Sequence, residues 1–314
     1  MIGLSQLGRR TWVVTAVALI VLLVANAILQ HNFLEPSVVQ SNLTTFLPLV
    51  LVAIGQTYVI LGGDIDLSVG AIVALTNVVT VTVIAALGGD GTAVTLGLLA
   101  GVGVGVGCGL INGLIIAGLR FQPIVTTFAT SIVFSGLALW VLPQAGLPVP
   151  EPYWRTYAGS VLGIPTVYVI YLVAFLLAAF LAARPFMTRL KAVGGQRTAA
   201  FQTGVDIGKL RVSAFVLSGL FGAFSSLCLT GETASGDPLM GQTLAMSAIS
   251  AVVLGGTALA GGVGGALGSV LGAWVVGMIG SVIFFAGLPF EYQTLVQGLI
   301  ILAALAGGVL VTRR

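Results

Sequence analysis

Two acidic residues stand close together in the stretch LGGDIDLSVGAIVALT, residues 61–76. Asp64 and Asp66 precede the start of a predicted helix, in a chain of which only 7% of residues are charged. A carboxylate at this place can accept from free amides at the helix start and face the positive end of its dipole. The motif Asp64, Asp66, Ser68 and Gly70 therefore predicts either a solvated, capped turn or a gate at the inner mouth of a membrane pathway.

A second group of polar residues lies inside apolar segments and carries no charge. Uncharged hydrogen-bonding groups suit a neutral polyol, whereas charges cost several kcal/mol to bury in hydrocarbon. Hydroxyls that bond to carbonyls of their own helix look the same in sequence, so each residue also has a structural interpretation. The candidates for a solute pathway are Gln56, Thr57, Thr76, Asn77, Thr80, Asn112, Thr127, Ser131 and Ser135.

The sequence contains no cluster of His, Cys and acidic residues of the kind that catalysis or metal binding requires. The segment GVDIGKL, residues 204–210, departs from a nucleotide-binding loop because Leu210 replaces the Ser or Thr that binds magnesium. We therefore expect no catalytic residue, no metal, no cofactor and no ATP site in this chain.

Apolar side chains make up 58% of the 314 residues, more than a soluble domain of this size can cover. We predict an all-α polytopic transmembrane bundle of about ten helices in a single domain, residues 1–314. The predicted spans are 11–29, 44–61, 68–87, 93–117, 124–142, 166–183, 212–230, 244–258, 264–285 and 292–311. The stretch 244–258 is short, so a broken or re-entrant helix is the alternative there. A cleaved signal ending near Ala27 would leave nine spans.

Basic residues sort to one side of this topology. If both termini are cytoplasmic, every Lys and Arg except Arg155 falls on the inner side, as the positive-inside rule expects. The formal charge of +3 therefore reports orientation and does not indicate nucleic acid. The 184–211 loop is the longest inner segment and is the most basic.

Two regularities concern glycine. Gly101, Gly105, Gly109 and Gly113, and likewise Gly264, Gly268 and Gly272, recur every four residues, which predicts close helix packing in the fourth and ninth spans. VILGG at 59–63 returns as VVLGG at 252–256, which indicates either an internal repeat around 44–142 and 244–311 or a chance match.

Three blocks of sequence resemble the permease subunits of ribose-type ABC sugar importers. They are GGDIDLSVGAIVAL at 62–75, AVGGQRTAAFQTGVDIGKLR at 192–211 and SAISAVVLGGTALAGGVGG at 247–265. The chain departs from the family pattern in two places. Ala245 and Ser247 stand where the family has acids, and Asp64 stands where Gly or Glu is usual.

The resemblance implies a multi-pass protein of the bacterial inner membrane that imports a small neutral solute, a monosaccharide above all. It implies three kinds of protein partner: cytoplasmic ABC ATPases, a periplasmic or extracellular solute-binding protein, and a second permease copy or paralogue. The segment 184–211 would be the cytoplasmic coupling loop that docks on the ATPase. Its expected coupling residues are Gly194, Gly195, Ala199, Ala200, Gly204 and Asp206.

The Pro-rich outer segment 143–165 has two interpretations. Its aromatic and charged residues suit an interfacial belt in the lipid headgroups or a docking surface for the solute-binding protein. An ion-coupled secondary transporter is the alternative function. Such a protein normally carries an ionisable residue in mid-membrane, and the centre of each predicted span has none.

Overall fold

The computed structural model describes residues 11–289 and, beyond them, 291–292, 295–296, 298–299 and 302. The first five helices are α1 Thr11–Leu29, α2 Pro36–Leu61, α3 Val69–Ala86, α4 Gly91–Gly118 and α5 Pro123–Val141. Their bounds lie close to the predicted spans, except that α2 begins well before its predicted start at 44. The remaining helices are α6 Glu151–Ala158, α7 Thr166–Ala182, α8 Pro185–Gly195, α9 Arg197–Gln202, α10 Ile207–Thr233, α11 Leu244–Leu254 and α12 Ala266–Phe285.

Four two-residue strands lie at one end of the helix bundle. β1 (Leu147–Pro148) pairs antiparallel with β4 (Ser235–Gly236), and β2 (Ser160–Val161) pairs with β3 (Ile164–Pro165). The segment 143–165, which contains α6, β1, β2 and β3, packs against the ends of α3 and α10. The predicted outer segment is therefore an ordered cap.

The all-α polytopic class is confirmed, whereas the count of ten spans is not. Six described helices are long and apolar enough to cross a membrane, and α7 with α8 makes a seventh if this pair, bent by 69°, is one span. Within α1 the stretch Val14–Leu29, and also α11, are apolar but shorter. Most of the predicted span 292–311, and both termini, lie outside the described residues.

The segment 244–258 was predicted as a span, and the structure corrects it to a helix of 11 residues, α11. At 1.5 Å per residue this helix covers only about half of the hydrocarbon thickness. The preceding segment 237–243 is not helical and runs inward beside α3, where Gly241 contacts Gly70. The crossing is therefore made of irregular chain followed by a half-length helix, which matches the broken-helix alternative.

Helices α2 and α10 form the centre of the bundle. Every residue of α2 from Phe46 to Leu61 is buried, and α10 packs against α2, α3 and α4. Most of α5 is exposed by contrast, with apolar side chains such as Phe128 and Ile132 turned outward. A surface of that kind faces lipid or another apolar protein surface.

The glycine stripes pack as predicted, with one correction. Gly105 and Gly109 of α4 lie against the backbone of α10, and Gly268 and Gly272 of α12 lie against α11. Gly264 precedes α12 with φ +127°, so it belongs to the loop and not to the helical stripe. Since lipid offers no hydrophobic drive for helix association, these close backbone contacts hold the bundle together.

The repeated VILGG and VVLGG segments end their helices in the same way. The second glycine has φ +77° at Gly63 after α2 and φ +83° at Gly256 after α11. The next residue then donates its amide five positions back, at 3.2 Å to Val59 and 3.1 Å to Val252. This left-handed helix end favours glycine because other residues are strained there.

Candidate functional site

Two loops and the last turn of helix α8 meet at the end of the bundle where α2 ends. They carry Gly63, Gly194 and the pair Gly261–Gly262, and we call these four residues the glycine junction. The Gly262 amide donates to the Leu61 carbonyl at 3.0 Å. A Cβ on Gly261 would lie 2.8 Å from the amide nitrogen of Gly63, so the backbones touch directly.

Gly194 brings the 184–211 segment into this contact. A Cβ on Gly194 would overlap the Leu61 carbonyl oxygen and lie 2.6 Å from the Gly262 amide. Glycine is therefore required at this position by space, whatever partner binds nearby. The residues at the end of α8 consequently contact both loops that follow the repeated VILGG and VVLGG segments.

Asp64 lies at the junction and is an ion-pair centre. Its carboxylate accepts from Arg211 Nε at 2.7 Å and Nη2 at 3.1 Å, and it also accepts from Arg197 Nη2. The Asp64 side chain is 3% exposed, so the predicted solvated turn is wrong at this residue. Arg197 also donates to the Gly63 carbonyl at 3.1 Å and so binds backbone and carboxylate together.

Asp66 is fully buried, and its carboxylate accepts hydrogen bonds from hydroxyl and amide groups. It accepts from the Ser68 amide at 2.9 Å, as the capping prediction expects, and from the Ser68 hydroxyl at 2.6 Å. The Ser218 hydroxyl donates to its other oxygen at 2.8 Å. No cation pairs with Asp66 in the part of the chain that the structure describes.

Ser218 lies near the middle of the 27-residue helix α10, so Asp66 is deep in the bundle. The segment 62–68 runs inward from the end of α2 before α3 begins. Asp66 lies just before the predicted span 68–87, so the absence of an ionisable residue from the centre of each span stays a prediction. The expected surface position of this loop, by contrast, is wrong, because Asp66 is buried. Irregular backbone at such depth is tolerated where protein encloses it.

The segment 62–68 is hydrogen-bonded on to two further helices. The Asn112 side-chain amide of α4 donates to the Ser68 hydroxyl at 2.7 Å. Thr130 of α5 donates to the Asn112 carbonyl oxygen at 2.7 Å, and the Leu67 amide donates to Thr127 at 3.0 Å. The hydrogen-bonding groups of Asn112 and Thr127 are thus used within the protein.

Asn77 and Thr57 are used in the same manner. The Asn77 amide group donates to Thr230 at 2.7 Å, and its oxygen accepts from the Asp237 amide at 2.7 Å. Thr57 donates to Ser269 of α12 at 2.7 Å. Polar groups at these predicted pathway positions hold helices and the 234–243 segment together.

The other predicted pathway residues fall into two sets. Gln56, Thr76 and Thr80 are buried, and their side-chain polar atoms have no hydrogen-bond partner among the described residues. Ser131 and Ser135 are half-exposed on α5, where Ser131 donates to the Phe128 carbonyl at 2.6 Å. None of the nine lines the cavity of about 840 Å³ between α7, α8 and α12.

The predicted coupling residues divide by exposure. Gly195, Ala199, Gly204 and Asp206 are exposed, whereas Ala200 is buried and Gly194 lies in the glycine junction. Phe201 is 71% exposed beside them, which is unusual for so large an apolar side chain in contact with water. Arg197 and Arg211 were predicted only as basic residues of the inner loop, and their pairing with Asp64 was missed.

Asp206 has a structural task of its own. Its carboxylate caps α10 by accepting from the Lys209 amide at 3.0 Å, and it pairs with the Lys209 ammonium. The hydrogen bond from that amide lowers the pKa of the Asp206 carboxyl below its ordinary value. Its predicted coupling role therefore has to be separated from helix capping in any experiment.

A family model described as the permease component of the branched-chain amino acid transport system matches residues 38–305. The chain belongs to this permease family. The match covers the glycine junction, Asp64, Asp66 and the exposed face of α9, and the resemblance that the three sequence blocks carried is confirmed.

Relatives of the permease match along almost their whole length. A ribose import permease of Bacillus subtilis is 37% identical over 290 residues, covering 91% of this chain and 89% of the relative. An L-arabinose ABC transporter permease of Azospirillum brasilense is 32% identical, covering 96% and 88%. A D-allose transport system permease of Escherichia coli is 30% identical, covering 88% and 83%. No solved structure gives a significant match.

Proposed function

We propose that this permease forms the membrane path of an ABC importer for a monosaccharide. The observation that carries the proposal is its full-length similarity to permeases named for ribose, arabinose and allose import. The permease is located in the bacterial inner membrane. Separate cytoplasmic ATPases supply the energy, and a solute-binding protein delivers the sugar on the outer side.

The ATPase docks on the exposed face of α9, formed by Ala199, Phe201 and the following turn. An exposed aromatic ring beside small residues suits insertion into a groove of a partner protein. Movement of α8 and α9 reaches both loops of the glycine junction, because Gly194 contacts the 61–63 and 261–262 segments. Arg197 adds a charged link from the first residue of α9 to Asp64.

The sugar path runs between two copies of the permease, or between it and a paralogue. Within one chain the polar candidates are enclosed, because Gly101 of α4 closes over Thr76 and Thr80, and Gln56 is fully buried. Gln56, Thr76 and Thr80 keep unused hydrogen-bonding atoms, and they contact solute only when the helices that enclose them move apart. The similar helix ends of α2 and α11 support an internal duplication.

Ion-coupled transport is the second candidate function, and Asp66 is the observation that favours it. A buried carboxylate with no cationic partner among the described residues is the kind of group that binds a coupling proton or sodium ion. Three hydrogen-bond donors satisfy it without an ion, and Asp66 belongs to one of the blocks shared with the importer family. The ABC importer is therefore the better-supported function.

Reconstitution distinguishes the two functions. Permease in liposomes with its ATPases and sugar-loaded binding protein is expected to take up radiolabelled ribose, arabinose or allose only when ATP is supplied. Uptake by the permease alone under a proton or sodium gradient would contradict the importer and support ion coupling.

The docking face is tested with Phe201→Glu, which adds a charge to the exposed patch. We expect at least tenfold weaker ATPase association, since an apolar anchor is lost, with an unchanged melting temperature. Thr92→Glu, which adds the same charge at the exposed start of α4, is the control and should bind normally. Equal binding by both variants would remove α9 as the docking element. Gly204 is a poorer test site, because its φ of +79° makes any substitution strained.

A further inference from the structure

A polar and aromatic cavity opens at the end of the bundle opposite the glycine junction. Its volume is about 280 Å³, and it lies between the first turns of α2, helix α6 and the last turn of α10. Gln40, Thr44, Trp154, Tyr157 and Glu232 contribute its polar and aromatic lining. We call this site the outer pocket.

Glu232 is the charged group of the outer pocket. Its carboxylate accepts from the Thr45 hydroxyl at 3.2 Å, and it pairs with no Lys or Arg among the residues that the structure describes. An acid at a protein surface next to a cavity has room for a cation that the chain itself does not supply. Trp154 and Tyr157 add aromatic faces, which attract Lys and Arg side chains.

The surroundings of the outer pocket are acidic as well. Asp90 and Glu151 lie at the same end of the bundle, because Glu151 follows Pro150 and Gly89, the neighbour of Asp90, packs against Pro150. Arg155 is the one Lys or Arg described at this end, and Glu151 already pairs with it at 2.8 Å. A partner that approaches this end meets an excess of negative charge, so complementarity requires a basic surface.

We infer that the outer pocket receives a Lys or Arg side chain of the sugar-loaded solute-binding protein. The inference rests on the proposed importer function, which places that protein at this end. A neutral sugar would gain little from an unpaired carboxylate, whereas a guanidinium or ammonium group can pair with Glu232 and stack on Trp154. The pocket thus holds the docked binding protein over the permease.

The test compares Glu232→Gln and Glu232→Lys in the complete transporter in nanodiscs, titrated with its ribose-loaded solute-binding protein. Glutamine keeps an oxygen for the Thr45 hydroxyl, so the fold is retained. We expect about tenfold weaker binding for the glutamine variant and a larger loss for the lysine variant, because repulsion replaces attraction.

Glu35→Gln is the matched control, since Glu35 is exposed just before α2 and outside the pocket. This control removes the same charge and should bind the partner within twofold of the wild type. A Lys-to-Glu or Arg-to-Glu change in the binding protein that restores affinity to the Glu232→Lys permease would identify the inserted residue.

Three outcomes overturn the inference. Unaltered binding by Glu232→Gln, or equal loss in Glu232→Gln and Glu35→Gln, would show that no cation enters the pocket. Loss of free ribose binding by Glu232→Gln in equilibrium dialysis, with binding-protein affinity retained, would make the pocket a sugar subsite. Failure of the wild-type permease to bind the solute-binding protein would overturn the proposed function itself, and with it this role.

Discussion

Two acids in ion pairs, Asp64 and Glu151, lie at opposite ends of the bundle and show opposite uses of charge. At the glycine junction Asp64 is enclosed by two arginines, and its side chain is 3% exposed. At the other end Glu151 and Arg155 of α6 pair at 2.8 Å with side chains 56% and 74% exposed. The ion pairs of Asp64 connect the 62–68 loop with α9 and α10, whereas the Glu151 pair joins two residues on one helix.

The difference teaches that burial decides what an ion pair does in this protein. Water screens the Glu151 pair, so its formation changes the free energy of folding little. Asp64 and Arg211 are withdrawn from water, so either partner alone would leave an uncompensated buried charge. The end at the glycine junction is therefore intolerant of change, and the charges at the opposite end remain exposed.

Asp64→Ala gives the largest expected effect. Arg211 is 12% exposed and would lose its partner, so we expect a loss of about 3 kcal/mol in the free energy of unfolding. The measurement is the melting temperature of purified permease in detergent, followed by intrinsic fluorescence. An unchanged melting temperature would show that the Asp64 ion pairs contribute as little to the free energy of unfolding as the Glu151 pair.

Gly194→Ala is expected to have the next largest effect. The added methyl group collides with the Leu61 carbonyl, and overpacking of this kind costs about 1–3 kcal/mol. Gly195→Ala is the matched control, since nothing lies within 4 Å of a Cβ at that position. ATP-driven sugar uptake and melting temperature should both fall in the first variant only. If both variants behave alike, the glycine junction does not require contact at Gly194.

Glu151→Gln is expected to change least. Removing one partner of an exposed pair should shift the free energy of unfolding by less than about 0.5 kcal/mol, a loss that added salt would mask. The same fluorescence measurement at low and high salt checks this expectation. A decrease as large as that of Asp64→Ala would contradict the contrast between the two ends.

Much of the helical frame follows from the sequence because hydrocarbon permits few alternatives. The bounds of α3, α4 and α5 and the end of α2 agree with apolar runs, and the glycine stripe of α4 packs as its spacing predicts. The half-length helix α11 was the weakest prediction for the same reason: an apolar run does not reveal where irregular chain enters the bundle. The depth of Asp66 was missed because loops between spans were assumed to lie at the surface.

The roles of individual polar residues could be predicted only in part. Asp66 and the Ser68 amide are two residues apart, so local geometry sufficed for their hydrogen bond. Arg197 and Arg211 lie more than a hundred residues from Asp64, and only the fold shows that they meet. Asn112 and Thr127 have the composition of solute contacts, but neighbouring loops already use their hydrogen-bonding groups.

The bond from the Gly262 amide to the Leu61 carbonyl has a consequence for biosynthesis. Leu61 and Gly194 leave the ribosome long before Gly262 does. A growing chain that has not reached residue 262 lacks this donor for the end of α2. The end of the bundle at the glycine junction is therefore completed only after Gly262 has been inserted, so truncation before residue 262 should leave even the early helices poorly closed.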